Sequence, residues 1–440
     1  MTNLYELSKI KLINFVNQQG GIFLEKQHSP LSSYFLPQKN QRSSALNNTK
    51  TLILRIIKDA GIISRKELSQ YSQLTQASIT NITRELLAAG LIYENGYVDG
   101  DSGRKMIGLS IVTDRFCTIG LRITPQYMAV GLYDINSVCL DVKKAYIDTF
   151  HDIYFSLLEL KKQIRNFIQL GESKNLTPLA ISMSLLGNFR LTEKECIMLE
   201  SSGKYIDLSS TLKRDFHLPV YFDSAANYGI YWLSCQRNLN YLHNKTVINI
   251  NVSYNIDIAI MQDRTILKNA IRLPGAFGNT LVTDCNGKQV TLQDSITTQA
   301  LLDKAKEIVV NYPDSSLYGK DVLISRDLIN AFYIADEVAL EIFQYAADIL
   351  GYTIVQLISL LHPHCIFIGD ELPSSETFLY MLTDAVHAHL PHRNDYFPNI
   401  RMLPVERVTQ KDNTIIGGCL YATNKILQDI EWVNSIKPVI

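Results

Sequence analysis

The seven cysteines of this chain (Cys117, Cys139, Cys196, Cys235, Cys285, Cys365 and Cys419) form no Cys-x-x-Cys pair. Reduced, mostly buried thiols in a cytoplasmic protein are the expectation from that scatter. Long apolar runs are missing as well. The nearest, Leu350 to Leu361, is interrupted by Thr353, Gln356 and Ser359, so no membrane insertion is expected. The opening MTNLYELSKIKLINF carries charged and amide residues where a secretion signal needs an apolar centre. Nor is there an excess of one charge: 42 Lys and Arg face 43 Asp and Glu, a net charge of −1 that excludes a general polyanion binder. What the chain does have is 440 residues at 46% hydrophobic content, enough for a small domain and a large two-lobed one.

The charge that is present is unevenly spread. Residues 1–110 hold 13 Lys and Arg against 8 Asp and Glu, whereas the remainder holds 29 against 35. A mildly basic front end on an acidic body suits a specific DNA-binding regulator that leaves non-specific DNA readily.

Gly61 to Lys105 reads as the DNA-binding module. Ser64 and Glu67 have capping-box spacing and predict a short helix that turns Leu68 inward. Thr75 is the expected N-cap of a second helix from Gln76 to about Ala89, with Gly90 as its stop. Ile79, Ile82, Leu86 and Leu87 share one face at helical spacing and should pack against the preceding helices, including one around Leu52 to Ile57. The opposite face offers Gln76, Ser78, Thr80, Asn81 and Arg84, a mixture of donors and acceptors suited to base edges and phosphates in the major groove. Ser64 and Arg65, at the start of the first helix, join this set of candidate DNA contacts.

A wing is expected next, with short strands at Leu91 to Tyr93 and Gly96 to Val98 about an Asn95-Gly96 turn. Gly103, Arg104 and Lys105 follow, a flexible glycine and two cations suited to a narrow A·T-rich minor groove. Residues 1–45 read as an N-terminal extension and linker, with a loosely packed or disordered segment preferred and a dimerisation arm or a DNA-contacting arm as the alternatives. Residues 46–110 read as the winged helix-turn-helix domain.

Beyond Arg104 strands alternate with helices. Strand-like stretches are Phe116 to Ile123, Met128 to Tyr133, Val138 to Ala145, Leu179 to Leu185, Val220 to Phe222, Thr246 to Val252, Ile256 to Met261 and Cys365 to Ile368. Helices are expected at Ile153 to Leu170 and from Asp327 to Leu361 with a break near Ala335. This order predicts an α/β duplicated fold of the actin-like ATPase (ribonuclease H-like) type over residues 111–440. Lobe 1 would span about 111–235 plus a C-terminal helix, and lobe 2 about 236–414.

The block ISRKELSQYSQLTQASITNITRELLAAGLI resembles the reading head of the Mlc/NagC-type repressors of the ROK family, and the likeness extends over roughly residues 46–430. Gly103-Arg104-Lys105-Met106 is similar to the family's Gly-Arg-(Arg/Lys)-Pro, with Met106 in place of Pro. Gly187, the Ile368-Gly369 strand end and Ile415-Ile416-Gly417-Gly418 are weaker landmarks. The resemblance implies a repressor of carbohydrate uptake or metabolism genes that binds an A·T-rich double-stranded operator as a homodimer or homotetramer. The alternative it leaves open is a ROK-type sugar kinase with an appended DNA-binding domain.

The departures from that family matter as much. A phosphate loop of Asp-x-Gly type is replaced by Gly120-Leu121-Arg122-Ile123-Thr124-Pro125, and a second glycine-rich loop by Ser253-Tyr254-Asn255-Ile256-Asp257-Ile258-Ala259, so nucleotide is not an expected cofactor. Of the sugar-binding Glu-Asn-Asp-x-Asn segment only Asp223 persists, either as a catalytic base candidate or as a helix N-cap. The Glu-x-Gly-His segment reads Ala276-Phe277-Gly278-Asn279, and of the zinc-binding cysteines only Cys285 lies nearby, so no metal is expected. His362, His364, His387, His389 and His392 lack acidic or thiol partners at fixed spacing. Gly187, Asp223, Gly278 and Asn279 remain as candidates for a ligand site. Effector input is then expected from a sugar-transport protein partner, or from a chemically different ligand in the old cleft, without enzymatic activity.

Overall fold

A computed structural model describes residues 42–99, 105–149, 151–187, 189–192, 195–236, 242, 245–263, 265–267, 276–284, 287–390, 396–403 and 412–427. Residues 1–41 of the expected extension, Gly103 and Arg104 of the wing, Cys285 and His392 lie outside them.

The first helix is Arg42–Ala60, uninterrupted by Gly or Pro and longer at both ends than the Leu52 to Ile57 stretch that periodicity marked. It begins inside the segment read as linker. The helix Arg65–Ser72 starts with the expected capping box: the Glu67 carboxylate accepts from the Ser64 N–H at 2.9 Å, and Ser64 Oγ accepts from the Glu67 N–H at 3.2 Å. Thr75 caps Gln76–Ala88. That helix ends as its sequence requires. Gly90 adopts φ +63, its N–H reaches the Leu87 carbonyl, and the Leu91 N–H reaches Leu86, the paired bonds of a Schellman stop.

The wing corrects one expectation. Its strands are Ile92–Asp99 and Lys105–Ile111, paired antiparallel out to Asp99 opposite Lys105, so the pairing continues past Asn95-Gly96 and the expected turn is not there. Asn95 and Gly96 form a bulge where the pairing shifts between Glu94 and Tyr97, with Gly96 at φ +62. Gly108 faces that bulge with no room for a side chain: a Cβ there would sit 2.6 Å from Ile62 Cγ2 and 2.9 Å from the Asn95 carbonyl oxygen. An Asn-Gly pair marks a left-handed backbone, which a bulge uses as readily as a turn.

The remaining chain forms two five-stranded sheets. One has spatial order Val220–Ser224, Thr177–Leu185, Phe116–Ile123, Tyr127–Asp134 and Cys139–Tyr146, and the other Thr265–Ile266, Ile256–Gln262, Val247–Val252, Cys365–Asp370 and Asn399–Met402. Two helices cover the seam between them. The C-terminal helix Asn413–Ile426 lies on the first sheet, where a Cβ on Gly120 would come within 2.6 Å of Ile415 and Cys419. Ala225–Ser234 packs between that helix and the second sheet: Gly229 makes room for Asn249, whose amide donates to the Ala226 carbonyl at 3.0 Å. Across the second sheet lie Ser325–Tyr333 and Glu337–Leu361, separated at Ala335 in the left-handed region as the sequence predicted. Glu337–Leu361 is long and apolar enough to cross a membrane by composition, but most of it is buried as the central helix of this lobe's core.

The winged helix is not tethered as a separate bead. Ile53, Leu54, Ile56 and Ile57 share one core with Ile79, Ile82 and Leu86 of the head on one side, and with Phe116, Ile135, Leu179, Ala422 and Ile426 of the large domain on the other.

Candidate DNA interface and interlobe cleft

In the helix Gln76–Ala88, Ile79, Ile82 and Leu86 are buried, whereas Gln76, Thr80, Asn81 and Arg84 are exposed and Ser78 is half-buried. Leu87, expected inside, is only half-buried. Thr83 joins the inner face instead, its hydroxyl bonded to the Ile79 carbonyl at 2.8 Å. On the outer face Thr80 Oγ1 donates to the Gln76 carbonyl at 2.8 Å, and Arg84 donates to Asn81 Oδ1. Ser78 and Thr75 share a hydroxyl contact at 2.9 Å. Glu85 is held by Lys50 of the first helix, which neutralises the one carboxylate on this helix.

Ser64 and Arg65 are built into the head. Ser64 is 1% exposed with its hydroxyl committed to Glu67, which withdraws the side chain from a groove-facing position. Arg65 Nε donates to Thr83 Oγ1 at 3.2 Å and its Nη2 pairs with Glu94 at 3.0 Å, so one guanidinium braces the reading helix against the wing. Lys105 is exposed at the first position of the second wing strand, paired with Asp99.

The cleft between the sheets holds the second constellation. Arg122 lies on Phe116–Ile123 at 4% exposure and is charged, pairing with two carboxylates from different elements. Nη2 binds Asp370, at the end of the second sheet's strand Cys365–Asp370. Nη1 reaches Asp412 Oδ2 at 3.1 Å and Thr414 Oγ1 at 3.2 Å. Asp412 is itself the N-cap of the C-terminal helix, accepting from the Thr414 N–H at 2.8 Å. Burial pushes the Asp370 carboxyl up to about 6, against the pull of the Arg122 guanidinium. Asp257, buried on Ile256–Gln262 with the strand Val247–Val252 between it and Asp370, is pushed up to about 8 by burial first and then by the charges of Asp370 and Asp223. Its Oδ1 accepts from Asn255 Nδ2 at 2.7 Å.

Asp223 is buried, and its Oδ1 accepts from the Ser224 N–H at 2.8 Å and from Asn227 Nδ2 at 2.7 Å. The helix N-cap is Ser224 rather than Asp223, because strand pairing persists through Ser224 opposite Leu185 and the helix starts one residue later than its composition suggests. Gly187, at φ +101 beyond the neighbouring strand, packs on Pro125. Gly278 and Asn279 stand on the second lobe in a 3-10 turn, Gly278 buried against Gln293 and Asn279 exposed. Among the described residues no three His, Cys, Asp or Glu side chains form a metal-holding group.

A family model described as ROK family matches residues 118–425. The chain belongs to the ROK family. A second model, MarR family, matches residues 46–94 of this ROK protein. The xylose repressor of Caldicellulosiruptor bescii is 24% identical over 394 residues, covering 84% of this chain and 94% of its own. A crystal structure described as a ROK family transcriptional regulator, homolog of the E. coli Mlc protein, superposes with TM-score 0.71 at 20% identity, over 88% of this chain and all of that one. The ROK family glucokinase of Streptomyces griseus, solved with glucose and AMPPNP, superposes with TM-score 0.55 at 19% identity, over 69% of this chain and 98% of its own. Both likenesses fix the actin-like fold of the large domain, and the first also covers the head.

Two functional groups escaped the sequence reading. Arg122 stood inside a segment noted for the acidic residue it lacks, and Asp412 stood just ahead of a recognised helix. The available signal for Arg122 was a lone cation within the apolar strand FCTIGLRI, which burial forces to find a carboxylate.

Proposed function

We propose that this ROK protein is a DNA-binding transcriptional repressor of carbohydrate genes, without kinase activity. The observation that carries the reading is the division of the helix Gln76–Ala88. Its apolar side is spent on the core of the head, and its other side presents Gln76, Thr80, Asn81 and Arg84 to solvent with the one carboxylate neutralised by Lys50. Such a face hydrogen-bonds base edges and phosphates in a major groove. Lys105, with Arg104 outside the described residues, is assigned to the minor groove of A·T-rich DNA. Ser64 and Arg65 act behind this surface as cap and brace. A two-fold homo-oligomer would place two heads on a palindromic operator.

The relatives named as repressors support this reading over a kinase, and so does the cleft. The guanidinium of Arg122 and its two carboxylate partners fill the segment where a kinase of this fold needs an open phosphate loop. Asp223, the remaining base candidate, is held by Ser224 and Asn227. Signal input is assigned to a protein partner of the sugar-transport machinery or to a ligand that differs from a zinc-supported free sugar.

Selection of bound duplexes from a random library tests the DNA reading. Enrichment of A·T-rich paired half-sites is expected, and no enrichment at low salt would refute it. Calorimetric titration with hexoses, pentoses and their phosphates tests the effector assignment, which micromolar binding of any free sugar would overturn. Turnover of ATP with any of these sugars would reinstate the kinase.

A further inference from the structure

Arg122 connects three parts of the molecule that are far apart in sequence. Its own strand belongs to the first sheet, Asp370 to the second, and Asp412 to the head of the C-terminal helix. The pairing is specific. Asp370 is a non-glycine residue at φ +82, a backbone conformation that L side chains adopt only when their surroundings hold them there. A second polar tie crosses the cleft nearby, from Tyr254 Oη to Gln126 Oε1 at 2.8 Å, but it is exposed. The buried guanidinium is the stronger fastening.

The C-terminal helix then runs from this point toward the head. Its 14 residues span about 21 Å at 1.5 Å per residue. At its start Thr414 also receives the Ser184 hydroxyl at 2.9 Å. Along its middle, side chains at Gly417 or Gly418 would collide with Tyr228, so the helix lies hard against its neighbours. Tyr421 packs among the rings of Tyr221, Tyr228 and Tyr231. At its far end Ala422, Ile426 and Leu427 share the core of Ile53, Ile56 and Ile57, and the Leu427 carbonyl lies 3.4 Å from the Thr51 hydroxyl that donates to it. The first helix in turn holds Glu85 of the reading helix through Lys50. No step in this series is a flexible linker.

We infer that the Arg122–Asp370 pair is a latch closing the two lobes, and that the C-terminal helix carries its state to the DNA-reading head. The inference rests on the proposal that the head binds DNA. It adds that operator affinity is set from within the cleft, by whatever separates Arg122 from Asp370. A ligand or partner does this by favouring the open arrangement over the closed one. Tightly packed contacts transmit such a change because the fastening has two discrete states, paired and unpaired.

The test compares the full-length protein with Asp370→Asn, which removes the interlobe charge and leaves the Arg122–Asp412 arm in place. A second variant, Arg122→Met with Asp370→Asn, avoids stranding a buried cation and guards against a misfolded single variant. Asp412→Asn is the third, because Asn caps a helix as well as Asp does while losing the charge. Three readouts are taken: the distance between spin labels on the two lobes, amide hydrogen exchange across 413–427 and 49–60, and affinity for the selected operator duplex. Opening of the lobes, faster exchange in both segments and a loss of affinity of about 5- to 150-fold are expected in the first two variants, the range usual for coupled sites. Asp412→Asn should speed exchange in both segments while the lobes stay closed. Unchanged lobe distances in the first two variants would overturn the latch. Opened lobes with unchanged exchange at 413–427 and 49–60 would overturn the transmission. If the unaltered protein binds no DNA, the DNA reading itself fails, and the distance and exchange measurements still decide the latch.

Discussion

Replacing Asp257 by Asn should stabilise the protein at alkaline pH and leave it unchanged in acid. Asp257 is 2% exposed, and its carboxyl is pushed from an ordinary 3.8 up to about 8, first by burial and then by the neighbouring charges of Asp370 and Asp223, with Arg122 pulling the other way. Its hydrogen bonding fits a neutral acid: Oδ1 accepts from Asn255, while Oδ2 has no partner among the described residues. Between pH 4 and 8 the folded protein keeps this proton and the unfolded chain releases it. The folded state therefore binds more protons, and the site's contribution to stability falls as pH rises through that window, levelling off above 8. From pH 5 to pH 8 the fall is three units at about 1.4 kcal/mol each, or about 4 kcal/mol. Asn fills the same volume, keeps an acceptor for Asn255 and does not titrate. Urea unfolding of both proteins followed by far-UV circular dichroism at pH 4, 5, 6, 7 and 8 checks this. The two should nearly coincide at pH 4 and diverge to about 5 kcal/mol in favour of the variant at pH 8, about 4 of it gained above pH 5. Parallel profiles would show that Asp257 is ionised in the folded protein and that the cleft is better solvated than its burial implies.

The head supplies three further tests. Ser64→Ala removes a cap and should cost about 1 kcal/mol, read as a lower melting temperature with the exposed face of the reading helix unaltered. Gly108→Ala forces a methyl group against Ile62 and the Asn95 carbonyl and should cost about 1–3 kcal/mol, with loss of wing order seen in the amide spectrum of residues 92–111. Arg84→Ala and Lys105→Ala should each weaken operator binding and lower the slope of log affinity against log salt by about 1, measured by fluorescence anisotropy across a salt series. An unchanged slope in both would remove these side chains from the DNA contact.

The head was legible because its determinants are local. Ser64 with Glu67, Thr75 with Ser78, and Gly90 after Ala89 each act within five residues, so spacing alone located the helices. The wing turn was misplaced for the same reason in reverse. Asn95-Gly96 states that the backbone turns left-handed, but only pairing with residues 105–111 distinguishes a bulge from a hairpin end. Periodicity also found the five strands of the first sheet, three of the five in the second and the break at Ala335, but not the short edge strands Thr265–Ile266 and Asn399–Met402, which are too brief to leave a period in the sequence. The cleft was not legible in this way. Arg122, Asp370 and Asp412 are separated by 248 and 42 residues, and no local spacing relates them.

Long-range polar groups of this kind become informative through a different question, which is where a buried charge finds its partner. Arg122 sits between Leu121 and Ile123 on a strand whose eight residues are all buried, so its charge must be matched from another element. Only a carboxylate at the end of a facing strand or at a helix N-terminus can reach it without breaking the sheet, and the structure uses one of each. That choice has a functional consequence. A cation matched within its own lobe would merely stabilise that lobe, whereas one divided between two lobes makes their separation expensive. Breaking such a buried pair on one side costs about 3–5 kcal/mol, at or above the roughly 1–3 kcal/mol by which coupled sites usually influence one another. Arg122 stands in the segment where the family resemblance implies a phosphate loop, and its division between the two sheets is what gives the proposed latch the strength to be regulated.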